Sequence, residues 1–451
     1  MKTVAGLADK RDGFRAARWV DSEEAAVAVL ALALLSGCDS LWRSYLEPCD
    51  PMRPLCMDTA KPEPQLLPSN GIDPAWFGEA KVELIPTEDL VVDTDQGTVT
   101  TAVGNRRLMD VSYHQLAPAD CGRGWMVGVG VFGFSTIRIP DGVRVRFAGS
   151  RAAALIAPGP IEIDGLLDLR GGMAECTDRR CGGPGGFAGG FVQFPAQRGE
   201  GPGAGAWGYG MGGVGDEAGG GGAGACGRGG KGGDAGATSY PGGSGGAAYQ
   251  QPTLIPLCGG SGGGSGGPGT SGGDPGQRGG GGGGAIQIVS QKSVSIGSTS
   301  ATPSGIQAGG GGGQGDQGVN FNDGGGGGGS GGAILIEAPS ISVSSGAVLA
   351  VNGGGGAGGN NGGVPCTNGE SALLSAKAAA GGTGMRFGGA GGAGSTLHGS
   401  DAGGAIGDGG AGGGGGVGRI RLNSLNGTVV LGGEQSPEMG ECLSTGRLIL
   451  R

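Results

Sequence analysis

Short alternating triplets dominate the middle of the chain: Ile137-Arg138-Ile139, Val143-Arg144-Val145, Ile161-Glu162-Ile163 and Leu167-Asp168-Leu169. A period of two puts the apolar side chains on one face of a strand and the charged ones on the other. Each run is brief and ends at Gly, Pro or Asp, residues that turn the chain. Upstream, Lys81–Ile85, Leu90–Val92 and Thr98–Thr100 predict further short strands. The apolar run Trp125–Phe134 (WMVGVGVFGF) predicts a buried one.

The strand unit recurs. Leu155–Ile163 (LIAPGPIEI) matches Leu335–Val343 (LIEAPSISV) at its main apolar positions. Each then reaches a second apolar triplet, Leu167–Leu169 or Leu349–Val351, and a glycine run. A third copy runs Ala285–Ile288, Val294–Ile296 and Ile306–Ala308, and a fourth Arg419–Leu422 and Thr428–Leu431. A constant unit separated by insertions of variable length is the signature of stacked repeats that bury one continuous core. The predicted fold is all-β, a right-handed parallel β-helix or closely related β-solenoid with long glycine-rich insertions. A β-sandwich with disordered loops is the alternative, and the recurrence favours the solenoid. Inward positions are Ile334, Ile336, Ile341, Val343, Leu349 and Val351, where β-branched residues stack well.

Composition sharpens this. Of 451 residues, 117 are Gly, about four times ordinary usage. Glycine adds no side chain to a core and loses most backbone entropy on ordering. It shows no strict three-residue period, and Pro numbers only 24, which excludes collagen. Two packings are open for the insertions at 171–284, 308–332 and 352–418. One is disorder. The other is polyglycine II, extended three-fold chains hydrogen-bonded to their neighbours, with Phe187, Trp207 and Tyr209 sealing the layer.

Near the N-terminus, the apolar stretch Ala25–Leu35 is too short to span a bilayer. Leu35-Ser36-Gly37-Cys38 follows it and resembles the bacterial lipobox, which implies cleavage before Cys38 and acylation of that residue. Asp21, Glu23 and Glu24 abut the apolar run where Lys or Arg is usual, although residues 1–20 are net basic. Asp39 resembles an inner-membrane retention signal, a rule that transfers poorly between bacterial groups. The ten cysteines, less Cys38, leave nine, which suits an oxidising compartment. Candidate disulfide residues are Cys49 with Cys56, Cys176 with Cys181, and, more loosely, Cys226 with Cys258. No C-x-x-C occurs and the histidines are His114 and His398, so no metal and no cofactor is expected. A net charge of −9 without a basic stripe argues against nucleic acid as partner.

Several motifs mimic chemistry. G-x-S-x-G at 242–246 and 328–332 arises from Ser scattered among Gly, with no α/β text around it. Gly229-Gly230-Lys231 is no P-loop, because Ala225 and Gly232 stand where Gly and Ser or Thr are needed. Glu162 and Asp164, with Asp168 on the next strand, could form a carboxylate pair for glycoside chemistry. Their counterparts Ser342 and Ser344 carry no acid, so solvated outward residues are the simpler reading.

The lipobox, VVDTDQGTVT, the segment STIRIPDGVRVRFAGSRAAALIAPGPIEIDGLLDLRGG, GGPGGFAGG and units such as GGGGGGAIQI resemble, over roughly 85–435, glycine-rich cell-surface lipoproteins typical of myxobacteria. The glycine tracts also resemble those of phage tail-tip adhesins and of glycine-rich mycobacterial repeat proteins. The resemblance implies surface recognition and no catalytic residue. The expected organisation is a signal peptide (1–37), a Pro/Asp-rich tether (38–80), first strands and coils (81–170), a glycine-rich insertion (171–284), further coils with insertions (285–435) and a C-terminal segment (436–451). The expected protein is non-enzymatic, structural or adhesive, and lipid-anchored in the cell envelope, at the outer membrane or cell surface rather than the inner membrane. Its partners would be the membrane and a surface polysaccharide or another surface protein. A polysaccharide-binding or polysaccharide-cleaving β-helix is the alternative.

Overall fold

Alternating apolar positions become three sheets whose inner faces meet. The computed structural model describes residues 65–104, 106–107, 111–172, 181–191, 196–210, 217–236, 240–268, 276–297, 304–315, 323–360, 365–403 and 409–451. The chain divides into two units, Met1–Glu63 and Pro64–Arg451, and the described residues all belong to the second. Cys38, Cys49, Cys56 and Cys176 lie outside the described residues.

Two antiparallel pairs open the unit: β1 (Leu90–Asp93) with β2 (Thr98–Thr101), and β3 (Ser112–Asp120) with β4 (Met126–Gly133). There follow β5 (Ile137–Ile139), β6 (Arg144–Ala148), β7 (Ala152–Ala157), β8 (Ile161–Ile163) and β9 (Leu166–Asp168). After the first insertion come β10 (Ala285–Ser290), β11 (Ser293–Ile296) and β12 (Ser304–Gln307), then β13 (Ala333–Glu337), β14 (Ser340–Val343) and β15 (Ala347–Ala350). The last tier is β16 (Arg419–Ser424), β17 (Val430–Leu431) and β18 (Glu434–Ser436), with β19 (Leu443–Arg447) beyond it. From β7 to β19 every strand pairs in parallel with the strand three before it, so the chain visits the three sheets in rotation.

That register stacks like on like. Ala153, Ile286, Ile334, Ile420 and Leu443 form one inward row, and Leu155, Ile288, Ile336 and Leu422 the next. Rows Ile161–Val294–Ile341 and Leu167–Ile306–Leu349 complete the other two faces of the same core. Each Ile or Leu so buried contributes about 1.5–3 kcal/mol. The expected inward residues are all in this core. Corners are tight: Val143 N–H donates to Pro140 O at 3.2 Å, and Gly142 between them has φ 76°, which favours glycine.

Three sequence expectations change, and one strand, Ser112–Asp120, has no sequence signal of its own. Leu155 stacks through Ile288 onto Ile336, not Leu335, which faces the other side of the sheet. The corner between β7 and β8 is one residue longer than that between β13 and β14, so matching the two by sequence slips the first strand by one. Lys81–Ile85 forms only a bridge, Leu84 to Ile137. Ser112–Asp120, carrying no clear alternation, is the partner strand of β4. Residues 65–80, read as the end of a tether, instead form a strap. Leu66, Ile72 and Phe77 pack with Val129, Val131, Ile156 and Leu335 on the outer face of the sheet containing β4, β7, β10 and β13. The strap includes a short helix, α1 (Trp76–Glu79). Its polar anchor is the buried Glu337: Ser69 N–H and Oγ–H donate to it at 3.0 and 2.7 Å, and Gln287 Nε2 at 2.7 Å.

Candidate functional site

The three large insertions share one corner. They connect β9 to β10, β12 to β13 and β15 to β16, so each leaves the same sheet and returns to the same next sheet. Outside the sheets they bond to one another. Along the run 325–332, N–H groups at 326, 329 and 332 donate to the oxygens of Gln314, Gly311 and Ala308. Those at 325, 328 and 331 donate to Gly410, Gly413 and Gly416, and those at 327 and 330 to Gly264 and Ser261. One run thus addresses three neighbours in turn, every third residue to the same one. These bonds offset the absence of a side-chain core, because they pair backbone groups that would otherwise be buried without partners.

Most positions in these runs leave no room for a Cβ. A Cβ at Gly327 would sit 2.1 Å from Gly221 O, and one at Gly222 would sit 1.9 Å from Gly414 O. Surface runs behave differently. In 228–234 the side chains of Arg228 and Lys231 are exposed, three residues apart. In 367–373, Thr367, Glu370 and Leu373 are exposed while Gly369 and Ala372 are buried.

The far end of this glycine body is set by the same pairing. Gly324 N–H donates to Gly267 O, and Gly267 N–H to Ala218 O, and Ala218 N–H to Tyr209 O. Gly324 precedes β13 by an extended run of nine residues (333 less 324), about 28 Å at about 3.1 Å per residue. Tyr209 stacks on Tyr240, with centroids 5.8 Å apart. Arg386 Nη1 donates to Asp234 O, and Phe387 pairs with Gly403. Trp207, Tyr209 and Phe387 are 46, 44 and 56% exposed. Lys231 Nζ donates to Asp234 at 2.7 Å. Burial pushes the Asp234 carboxyl up, but Lys231, the Gly242 N–H and Arg386 outweigh it and hold it below its ordinary value.

Of the three aromatics expected to seal the layer, only Phe187 does so, edge-on to Trp125 at 5.4 Å. Trp207 and Tyr209 face outward because the run that carries them has reached the end of the body. The disulfide residues Cys226 and Cys258 are both bridged, but not to each other. Cys226 pairs with Cys442 and Cys258 with Cys121, across 216 and 137 residues. The reason is topological. Cys226 lies at the root of the glycine body, where its N–H bonds Val417 O. Cys258 lies in the cluster with Val127 and Leu257 on the outer sheet face. Cys181 is disulfide-bonded, and its expected partner Cys176 lies outside the described residues.

The candidate acids do not converge as a pair. Glu162 lies 3.5 Å from Arg138, and Asp164 sits at the corner after β8. Asp168 is buried on the outer face of β9, opposite Arg146 of β6. Arg170 grips it with Nε at 3.0 Å and Nη2 at 3.1 Å, and Arg144 Nη2 bonds the same carboxylate. Burial pushes Asp168 up, yet the bond and charge of Arg170 and the charge of Arg144 win, and it lies below its ordinary value. Of the G-x-S-x-G serines, Ser330 is buried and its Oγ accepts from Ser261 N–H at 2.8 Å. His114 stacks on Trp76 and reaches Glu79 at 3.0 Å, and His398 Nδ1 accepts from Arg228 N–H. Among the described residues no group of three or more His, Cys, Asp or Glu is placed to hold a metal. No helix among them is long and apolar enough to cross a membrane. No family model, curated protein or solved structure matches the chain.

Proposed function

We propose that this chain is a lipid-anchored envelope protein, acylated at Cys38, that displays an adhesive surface and catalyses nothing. Its three sheets are the faces of a parallel β-helix, supported by the three-strand rotation and the stacked inward rows. Its insertions pack as polyglycine II, supported by the three-residue periodicity of their hydrogen bonds. The observation that carries the adhesive reading is the set of exposed aromatics, Trp207, Tyr209 and Phe387, at the far end of a glycine body about 28 Å long. Aromatic side chains held on a rigid body offer large contact area at little entropic cost. The partner is a surface polysaccharide or another surface protein. Glu162 and Asp168 are engaged by arginines, which favours binding over cleavage.

The test has two arms. Intact-mass analysis of membrane-fraction protein is expected to show an acylated chain beginning at Cys38, lost in Cys38→Ala. A chain that keeps residues 1–37 overturns the anchoring. Labelled protein is expected to bind whole bacterial cells and members of a polysaccharide panel, and a Trp207→Ala/Tyr209→Ala/Phe387→Ala variant to bind neither. Equal binding by both overturns the adhesive reading.

A further inference from the structure

One pocket of about 220 Å³ lies beside Asp168, lined by Arg144, Arg146, Arg170 and Ser371. It is smaller than the ~300–1,000 Å³ of sites for whole small molecules, so it suits a single functional group. Its electrostatics are unusual for a chain of net charge −9. Three guanidiniums line the pocket with Asp168, and the Asp89 carboxylate accepts from the Arg144 backbone N–H at 2.8 Å, so the pocket wall keeps a net positive charge. Asp168 is already saturated: one oxygen accepts from Arg170 N–H and Nε, the other from Arg170 Nη2 and Arg144 Nη2. Its role is therefore to hold the arginines in place.

Donors remain. Arg144 Nε is buried without a hydrogen-bond partner among the described residues, a costly state for a charged group. Arg146 is exposed and makes no hydrogen bond or ion pair among the described residues. Ser371 Oγ accepts from Gly312 N–H at 3.2 Å, which leaves its hydroxyl proton to give. Guanidiniums present paired N–H groups that match tetrahedral oxyanions.

We propose that Arg144, Arg146, Arg170 and Ser371 form a binding site for a tetrahedral oxyanion carrying close to two negative charges, a phosphate monoester group or phosphate itself. A net positive wall of guanidiniums favours the more highly charged phosphate monoester over a singly charged sulfate ester or carboxylate. The register explains why the arginines converge. Arg146 of β6 stands directly opposite Asp168 of β9, so the outward residues of successive tiers stack as the inward ones do. The residues of this site are separate from the exposed aromatics Trp207, Tyr209 and Phe387.

Calorimetric titration of the purified full chain at low ionic strength, with inorganic phosphate, glucose 6-phosphate and glucose 6-sulfate, tests the proposal. Saturable one-to-one binding of phosphate is expected, weakened about tenfold or more in Arg146→Ala. Arg146→Lys is expected to recover part of it, as a point charge without the paired geometry. Arg146 is exposed, so its loss leaves the urea midpoint unchanged. Arg138→Ala, which removes an exposed arginine on a different sheet, is expected to bind like wild type. Glucose 6-phosphate binding as tightly as phosphate supports an ester borne on a glycan; phosphate alone binding supports the free ion. Absence of saturable binding, equal weakening in Arg138→Ala, or a preference for the sulfate ester overturns the proposal.

Discussion

A single methyl group tests whether the glycine body is packed as described. Gly327 lies in the middle of an interior run, fully buried. Its N–H donates to Gly264 O at 2.9 Å, and its oxygen accepts from Gly280 N–H at 2.9 Å. Alanine would place a Cβ 2.1 Å from Gly221 O. Carbon and carbonyl oxygen approach no closer than about 3.3 Å in ordinary contacts, so the runs must part by about 1.2 Å. That movement stretches the two hydrogen bonds out of range. Overpacking costs about 1–3 kcal/mol, and each buried group left unsatisfied about 1–3 more. Gly327→Ala is therefore expected to destabilise by about 3 kcal/mol or more. The control is Gly403→Ala, also in the glycine body but exposed, where a Cβ meets nothing within 4 Å. It is expected to stay within about 0.5 kcal/mol of wild type. Urea unfolding midpoints, with limited proteolysis alongside, read both. Equal midpoints for the two variants refute the close packing of the runs.

Other outcomes follow from the cross-links, the buried acid and the strap. Non-reducing peptide mapping is expected to recover Cys121–Cys258 and Cys226–Cys442 peptides and no Cys226–Cys258 peptide, and reduction to cost on the order of 5 kcal/mol per bridge for loops of this length. Asp168 has a depressed folded value, so its contribution is present above the ordinary carboxylate value of about 3.9 and is lost as pH falls through the lower folded value. Asp168→Asn is expected to cost about 1–3 kcal/mol at neutral pH, discounted for the part-exposed arginines, and to flatten urea midpoint against pH in that acidic window; an unchanged pH profile would count against the pairing. Ile72→Ala is expected to cost about 2–5 kcal/mol and to speed proteolysis of residues 65–80, whereas a true tether would show neither effect.

The parts of the fold legible in sequence are those with a local period. Ile137-Arg138-Ile139 and its relatives announce strands, and the inward residues named from them all lie in the core. What escaped depends on distances that sequence does not carry. From Leu155 to Ile161 is six residues and from Ile336 to Ile341 is five, so matching text misplaced one strand while the apolar character of both positions hid the error. Cysteine spacing suggested Cys226 with Cys258, but runs that go out and back bring residues 216 positions apart within one bridge. The arginine pocket was present in the text as RVR and DLR. Only the register, with Arg146 opposite Asp168, turns those letters into one site.

The irregular spacing of glycine, which excluded collagen, has a structural cause. In a collagen strand one residue in three faces the crowded axis, so glycine recurs with period three. Here an interior run such as 325–332 donates in turn to three neighbouring runs, and its oxygens accept in turn from three others, around 220–223, 354–357 and 280–283. No direction is left for a side chain, and nearly every position becomes glycine. A surface run has one open direction, and there the period returns: Arg228 and Lys231, or Thr367, Glu370 and Leu373, project at every third residue while Gly369 and Ala372 between them are buried. A mixture of interior and surface runs therefore reads as aperiodic over the whole chain. The position of side chains within each run is a map of its depth in the layer. Runs with side chains at every third place form the outer wall, and their chemistry can change without touching the packing that holds it in place.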